Sequence, residues 1–572
     1  MKILFVNPAC PDPRVTDGDA LVVPLGLYYL CALMMENGVE TRLLNLAPQG
    51  DQAEAVFAQA IEQEKPDIIG FSVTNPGRMN AKACARIARE KLPQATLVFG
   101  GPAPTFLADH LFQACPELDV IVKGEGESAC LALVKALETA GQNQENPELS
   151  AIPGLVFRKR LEDSQADATE LTDTGAAQAT ADLDTLPHPS KYFAYQHLAM
   201  SRGCPGKCTF CGSPKFWGTS GVRFHSVDWF FQEITTLVQR GVTHFFISDD
   251  TLTTDRERVI ELCQRIVDAK LSITWNAISR VDHVDEELFY WMRRAGCIQI
   301  SFGVESGSEK IKKILGKPVP NEKAIRAFDL ARQYGVMPRA YFIYGAPGED
   351  ETTIAESLEL MSQLKPLAAV FYLLVIFPGT HLYTRAVNQG QITDEIWHQN
   401  MEDLPWFELD PELDFPKVKG FGDQLRTAFF KELPDFISSL NLKDDPDLIP
   451  CHADFLSRLA LTLTHGDYAG KLDKADTLAR DLFLKALDYA PDARAYLGLA
   501  MLYGRQRKAE QAHRITEEGL SHFPDHRDLK VCQGINHMNR GAFDRALDLF
   551  KTISDGPDVR RYMDICNTRL KG

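Results

Sequence analysis

The chain has 572 residues, too many for one hydrophobic core, and the usual domain size implies three or four modules. Its 61 basic residues stand against 78 acidic ones, a formal net charge of −17 with a pI near 5.4. That balance argues against a nucleic-acid surface, because phosphate recognition needs clustered Lys and Arg. No run of about 18 apolar residues occurs, and the opening MKILFVNPAC breaks at Asn7-Pro8, too early for a signal peptide. A cytoplasmic protein without a membrane span is expected. Most of the thirteen cysteines stand singly in apolar contexts such as YYLCALMM, where a reducing compartment leaves them as small buried hydrophobes.

Over the first 130 residues, short apolar runs alternate with amphipathic patterns. KILFVN reads as a strand, PLGLYYLCALMMENG as a helix, ETRLLNL as a strand and AEAVFAQAIEQEK as a helix. PDIIGFSV, ATLVFGG and DVIVKGEGE follow as strands, separated by the helical AKACARIAREKLP and LADHLFQAC. Continuous β-branched runs between helices predict a parallel sheet covered on both faces, a Rossmann-like doubly wound domain over residues 1–140. Ligands of such sheets bind at the carboxyl ends of the strands, here Asn7-Pro8, SVTN from Ser72, GGP from Gly100 and GEGE from Gly124. No GxGxxG follows the first strand, so a dinucleotide is not expected. Glycines that only shape tight turns are the alternative reading.

The strings PLGLYYLCALMMENGVET, KPDIIGFSVTN, LVFGGPAPTF and VIVKGEGES resemble the cobalamin-binding domain found ahead of radical SAM domains. The resemblance implies a corrinoid whose nucleotide tail lies near Ser72, Thr74, Gly100 and Gly101, with Gly124 close by. Many cobalamin folds carry Asp-x-His-x-x-Gly, whose His ligates cobalt; this chain lacks it. The domain's only histidine, His110, falls in a helical pattern and reads as structural.

Residues 141–193 shift in character. QNQENPELS, a short strand in IPGLVFRKR and an Asp/Ala/Thr-rich stretch reaching LDTLPHPSKYF read as a polar connection between domains. Then SRGCPGKCTFCG places Cys204, Cys208 and Cys211 within eight residues. A structural zinc site wants four ligands, usually two CxxC pairs, and no fourth Cys or nearby His completes one. A 4Fe-4S cluster held by three thiolates keeps one iron open for an exchangeable ligand. The spacing Cys-x3-Cys-x2-Cys closely resembles the radical SAM superfamily, which implies that S-adenosylmethionine (SAM) takes the open site through its amino and carboxylate groups. Reductive cleavage then yields a 5′-deoxyadenosyl radical. Phe210 matches the aromatic residue that this family sets near the adenine.

Five more units follow, each pairing a helical pattern with a strand: THFFISDD, SITWNAI, CIQISFGVESG, MPRAYFIYGAPGED and AAVFYLLVIFPGT. With the strand before the cysteines they predict a partial (β/α)6 TIM-type barrel over 194–385, functional at its carboxyl rim. By resemblance, Asp249 and Asp250 match the acidic pair after strand two. Arg280 is placed to pair with the SAM carboxylate, Glu305 to contact its amino or ribose groups, and Gly345, Pro347 and Gly348 to supply backbone near the adenine. Helix capping or rim salt bridging is the alternative for each residue alone.

Residues 386–450, rich in Trp and Pro and then helical, are expected to cap the barrel. Residues 451–572 read as helical throughout, with Pro-Asp recurring at Pro491, Pro524 and Pro557, intervals of 33 residues. They resemble two to three degenerate tetratricopeptide units, which implies either a structural cap or a docking surface for a protein partner. The expected fold class is therefore α/β, with an all-α helical-repeat end. The expected function is a cobalamin-dependent radical SAM enzyme that methylates an unactivated carbon or phosphorus of a small, natural-product-like substrate, served by an electron donor such as flavodoxin or ferredoxin. A cyclase or C–C bond-forming enzyme of the same architecture is the alternative. A tRNA methylthiotransferase would need a second cysteine triplet and a basic tail. A non-catalytic scaffold would not need the cysteine triplet kept in register with GVESGS and YGAPGED.

Overall fold

The computed structural model describes residues 1–10, 22–143, 147–160, 169–218, 221–398, 409–466, 468–553 and 556–571. Five parallel strands build the first sheet: β1 (Lys2–Asn7), β2 (Glu40–Asn45), β3 (Ile68–Ser72), β4 (Thr96–Gly100) and β5 (Val120–Val122), in the order β2-β1-β3-β4-β5. Both faces are apolar because both are covered. Ile3, Phe5, Ile68 and Val98 pack with the helix Leu25–Glu36, whereas Leu4, Val6, Ile69, Leu97 and Phe99 pack on the opposite side. The order reverses between β1 and β3, and such a switch point opens a crevice at the carboxyl ends of the strands.

The segment expected to be only a polar connection does more. β6 (Leu155–Arg160) and β7 (Thr169–Asp173) extend the same sheet beyond β5 as an antiparallel edge pair. The apolar half of LVFRKR explains it: Leu155, Val156 and Phe157 are buried, and Leu155 and Phe157 pair with Val122 and Val120. The rest of the segment is tied to the barrel through the buried carboxylate of Glu233, which accepts from Ser190 N at 2.9 Å, from Ser190 Oγ at 2.7 Å and from the Tyr195 hydroxyl.

The second sheet is the expected open barrel. β8 (His197–Leu198) precedes the cysteine loop, and the short ribbon of β9 (Ser201–Arg202) and β10 (Arg223–Phe224) flanks it. β11 (His244–Ile247), β12 (Thr274–Ser279), β13 (Cys297–Glu305), β14 (Met337–Tyr344) and β15 (Ala368–Leu373) complete a six-stranded parallel sheet in sequence order. Alternation sorts the side chains. Trp275 and Ala277 are buried toward the helices, and the Trp275 indole donates to Ala295 O at 2.8 Å. Thr274, Asn276 and Ile278 take the other face, toward the lumen. A closed barrel packs its interior solid, whereas here Ile278 is 37% and Tyr372 51% exposed. The lumen is hollow.

The long helix Phe415–Ser438 packs on β14 and β15, with Phe429 against Phe371 and Gly422 directly against the Tyr344 ring; residues 399–408 of the Trp- and Pro-rich stretch lie outside the described residues. Beyond it, the described residues form seven helices from Ile449 to Lys571, and Asp492 caps the helix Ala493–Arg505 after the first Pro-Asp. Small residues meet aromatic ones at regular intervals: a Cβ on Gly498 would come 2.1 Å from the Phe483 ring, and one on Gly534 2.4 Å from Phe550. The first of these helices is not a separate module, since Phe455, Leu456, Leu459 and Leu463 belong to the core that contains Phe289 and Phe328 of the barrel. Among the described residues no helix is long and apolar enough to cross a membrane. A chain stopped at Leu448 would expose that shared core and should be insoluble. A chain stopped at Phe523, which removes the outlying cluster of Ala546, Phe550, Val559 and Cys566, should stay soluble with a cooperative melt by circular dichroism.

Candidate functional site

The cysteine loop is shaped by glycines where backbone meets backbone. Gly203 has φ +101°, and a Cβ there would lie 2.6 Å from Gly221 O. Thr209 N donates to Leu315 O at 2.9 Å, Thr209 Oγ1 to Ile314 O at 3.0 Å, and Leu382 N to Thr209 O at 3.0 Å, which fixes the loop on the barrel rim. Gly316, with φ +68°, permits the close pass, because a Cβ would sit 2.7 Å from Lys207 O.

Cys204, Cys208 and Cys211 are free and half-buried on this loop. The missing Cβ of Gly206 opens a space bounded by Cys204 Sγ at 3.3 Å, Cys208 Sγ at 3.8 Å and Arg280 Nη1 at 3.6 Å. Burial pushes up the Cys208 thiol and pushes Cys211 to about 11, so thiolates here require a compensating cation. Among the described residues, no three His, Cys, Asp or Glu side chains are grouped as around a single metal ion. Two thiols around a shared space, a third close enough to interact with both, and a guanidinium behind them suit a polynuclear cluster with one open corner.

The other rim residues have defined partners. Arg280 is held by Asp282 through Nε to Oδ1 at 3.0 Å and Nη2 to Oδ2 at 3.1 Å, which aims its guanidinium at the thiols. Phe210 is half-buried against the cluster containing Ile343 and Ala346. Glu305 ends β13 with φ +66°, next to a bulge, and its buried carboxylate accepts from Lys317 Nζ at 2.8 Å. Gly303 makes room for that pair, since a Cβ there would fall 2.3 Å from both Glu305 Oε1 and Lys317 Nζ. A non-glycine residue in this region of φ, held by an ion pair at a strand end, is stored backbone strain, a feature that makes Glu305 a candidate functional position. After β14, Gly345 and Gly348 have φ +85° and +76°, and Pro347 between them is half-buried. Gly345 N donates to Glu349 Oε2 at 2.5 Å and Gly348 N to Asp410 Oδ2 at 2.7 Å.

The acidic pair divides its work. Asp249 is buried, with Oδ2 accepting from Met200 N at 2.9 Å and Oδ1 from the Ser201 hydroxyl, so it splices β9 onto β11. Burial raises its carboxyl to about 6. Asp250 accepts from Ser213 Oγ at 2.6 Å and Trp217 Nε1 at 2.9 Å, which holds the residues after Cys211 at the wall of a cavity.

That cavity, about 340 Å³, lies between the two sheets. Ser72, Gly100, Gly101 and Gly124 line it from the first domain, and Ser201, Trp217 and Asp250 from the barrel side. Its floor runs under the first sheet between Gly70 and the helix bearing Gly26, whose missing Cβ has nothing within 4 Å. Gly101 has φ +99°, and a Cβ there would press within 3.2 Å of Val73 backbone. An apolar slot at a glycine-rich sheet edge fits the nucleotide tail of a corrinoid. Thr74 is not on the cavity wall. It is exposed, and its Oγ1 accepts from Gly77 N at 3.3 Å, which makes it a turn residue.

The sequence reading missed the charges that join the halves. Arg202, two residues before Cys204, reaches Glu125 Oε2 at 2.9 Å through Nη1 and Glu127 Oε1 at 2.6 Å through Nη2. Arg223 donates to both Glu125 oxygens, and the Arg202 guanidinium lies between the rings of Tyr29 at 5.1 Å and Trp217 at 5.6 Å. Beneath it, His225 stacks on Trp229 at 3.7 Å, and burial drops its pKa to about 3. The glutamates were in plain view inside GEGE, but only the glycines of that string suggested a site.

Two expectations follow. Glu125→Gln strips the charge facing the buried Arg202 and the half-buried Arg223 and should cost about 3–5 kcal/mol of unfolding free energy, read from the urea midpoint. Burial raises Glu349 from the usual 4.5 to about 7. Between those values the folded chain therefore binds more protons than the unfolded one, and stability falls as pH rises through that window. Glu349→Gln should match the parent at pH 4 and exceed it above pH 7, in paired denaturation curves.

Residues 198–361 match the radical SAM superfamily and residues 15–134 the B12 binding domain. The chain is 30% identical over 429 residues to an uncharacterized methyltransferase of Pyrococcus horikoshii, covering 74% of this chain and 89% of that one. It is 28% identical to the anaerobic magnesium-protoporphyrin IX monomethyl ester cyclase of Cereibacter sphaeroides, covering 69% of this chain and 65% of the cyclase. The fold is shared with the cobalamin-dependent SAM radical enzyme OxsB, solved with aqua-cobalamin and SAM, at TM-score 0.59 and 17% identity over 99% of this chain and 83% of OxsB. The cofactors are accordingly a 4Fe-4S cluster, SAM and cobalamin, and this chain belongs to the cobalamin-binding radical SAM enzyme family.

Proposed function

We propose that the protein methylates an unactivated carbon or phosphorus of a small, natural-product-like substrate. The observation that carries this reading is the single cavity shared by the glycine edge of the first sheet and the segment that follows Cys211. A methyl carrier and a radical source must act on one atom, and the walling of the first domain's cavity by Phe216 and Trp217, a few residues beyond Cys211, supports their being neighbours. Cys204, Cys208 and Cys211 hold the cluster, and Arg280 faces it. Phe210, Glu305, Gly345 and Pro347 flank SAM, while Ser72, Gly100, Gly101 and Gly124 let the corrinoid approach the backbone. Asp249 orients the loop rather than touching SAM, and Asp250 shapes the wall between the cofactors. The bound cofactors would supply reductive cleavage of SAM and a transferable methyl group. The protein's part is to exclude water and to hold those centres in register.

The cyclase relative favours a second reading, ring closure or C–C bond formation without net methyl transfer. Thirteen free cysteines suit a reducing cytoplasm, where flavodoxin or ferredoxin would supply the electron. The terminal helices, read as tetratricopeptide-like, are proposed to dock a protein partner on their outer units, since the inner ones are committed to the barrel.

The test is anaerobic reconstitution with iron, sulfide, cobalamin, reductant and SAM. The parent should form 5′-deoxyadenosine slowly even without substrate, and Cys204→Ala, Cys208→Ala or Cys211→Ala should lower it at least about a thousandfold together with the cluster absorbance. S-adenosylhomocysteine accumulating with product supports methyl transfer; product without it supports cyclisation.

A further inference from the structure

A second cavity, about 480 Å³, lies at the opposite end of the barrel, between the amino ends of the strands and the first C-terminal helices. His244, Asn276, Gln299 and Arg339 line it from the strands, and Arg458 and Arg494 from the helices below. Its charge is unbalanced. Arg458 and Arg494 share one carboxylate, Asp454, at 2.9 and 2.8 Å, and Asp454 is also held by the buried Arg293 at 2.7 Å. Asp492 gives Arg494 a second contact at 3.3 Å. Among the described residues, Arg339 has no ion pair. Asn276, in the same wall, has a buried Oδ1 without a partner.

Above this floor the lumen is open beside Ile278 and Tyr372, 37% and 51% exposed, and polar beside His197, Gln299 and Ser301 on the neighbouring strands. Alternation along β14 puts Arg339, Tyr341 and Ile343 on one face, and along β12 it puts Asn276 and Ile278 there. Tyr341 meets Tyr372 edge-on at 5.6 Å, and Tyr372 and Ile278 are among the most exposed large apolar side chains of the chain although they sit on central and edge barrel strands. Ile343 then joins the cluster under the cysteine loop. From Arg339 to Tyr344 the strand climbs about 16 Å.

We propose that the lumen is a substrate channel for an elongated acidic amphiphile. Its carboxylate or phosphate sits on Arg339, Arg458 and Arg494, its apolar body passes Ile278, Tyr341 and Tyr372, and its reacting atom reaches the rim. The floor fixes the distance between acid and reacting atom, so it selects substrates by length as well as charge. Guanidinium groups suit this role because they recognise oxyanions in a bidentate way. This inference rests on the radical site being at the rim, as proposed above.

The test is equilibrium binding to the reconstituted holoprotein by calorimetry, with dodecyl phosphate, dodecanoate, dodecanol and inorganic phosphate as probes. At least one acidic amphiphile should bind about tenfold or more tightly than both dodecanol and inorganic phosphate, and the one that does identifies the oxyanion. Arg339→Gln should erase that preference over dodecanol, Arg339→Lys should keep most of it, and Tyr372→Ala should weaken the amphiphile without changing inorganic phosphate. Arg494→Gln supplies the same comparison if Arg339→Gln fails to fold. Binding unchanged in the Gln variants, or inorganic phosphate binding as tightly as the amphiphiles, overturns the channel. Formation of 5′-deoxyadenosine by the same preparation reports on the radical reading separately: its absence sinks that reading whatever binds, and its presence with no amphiphile binding sinks only the channel.

Discussion

Arg202 places its guanidinium between two carboxylates of the first domain while its own backbone leads directly into the cysteine loop. Taking Arg202, Arg223, Glu125 and Glu127 out of water is costly, and their mutual attraction offsets that cost only when the geometry is satisfied. An apolar interface of the same size could be equally stable. It would tolerate sliding, because hydrophobic contact is non-directional. The fork of Arg202 does not tolerate it: one nitrogen meets Glu125, the other Glu127, and Tyr29 and Trp217 hold the plane. The width of the cavity between the two sheets therefore depends on a directional contact placed two residues from Cys204.

The same logic runs outward from the loop. Asp249 fastens β9 to β11, and Leu315 and Leu382 fasten Thr209 to the rim. Glycines stand wherever these segments cross, at Gly203, Gly206 and Gly316, so the loop is positioned by backbone contacts that no side chain can occupy. On the far rim, Glu305 accepts a backbone conformation that L-residues rarely adopt, and Lys317 holds it there. The strain is local, and the barrel behind it is well packed, which is the arrangement that lets a fold keep an unfavourable conformation at a working position.

What was legible in the sequence was local. Periodicity gave the strands and helices of both sheets, and the cysteine spacing pointed to the radical SAM family, because each is written in consecutive residues. Contacts between distant segments were not. Glu125 and Glu127 read as part of a glycine turn until Arg202 and Arg223 met them across nearly a hundred residues of chain. LVFRKR read as an isolated strand because pairing with β5 is a property of the sheet edge, not of its own six residues. Thr74 follows Ser72 in the same strand-end string, yet it faces solvent where Ser72 faces the cavity, since a turn begins between them. Asp249 and Asp250 are neighbours in sequence and opposites in environment, one sealed under the loop and one on the cavity wall.

The C-terminal helices complete this picture from below. The six-stranded sheet stays open, since β8 and β15 are its two unpaired edges, and its interior must be filled, covered or used. In this chain the helix Ile449–Thr464 covers the lower end, and the side chains it presents there, Arg458, Leu461 and Thr462, leave a cavity of about 480 Å³ rather than filling it. Phe455, Leu456, Leu459 and Leu463 are spent on the core shared with the barrel, while Arg458 and Thr462 line the cavity beside Leu461. A helix that served only to plug the barrel would put its apolar stripe against the hole. Here most of that stripe packs on the shared core and Arg458 and Arg494 are left at the cavity, so in the proposed channel the terminal region would shape what the barrel admits as well as stabilising it.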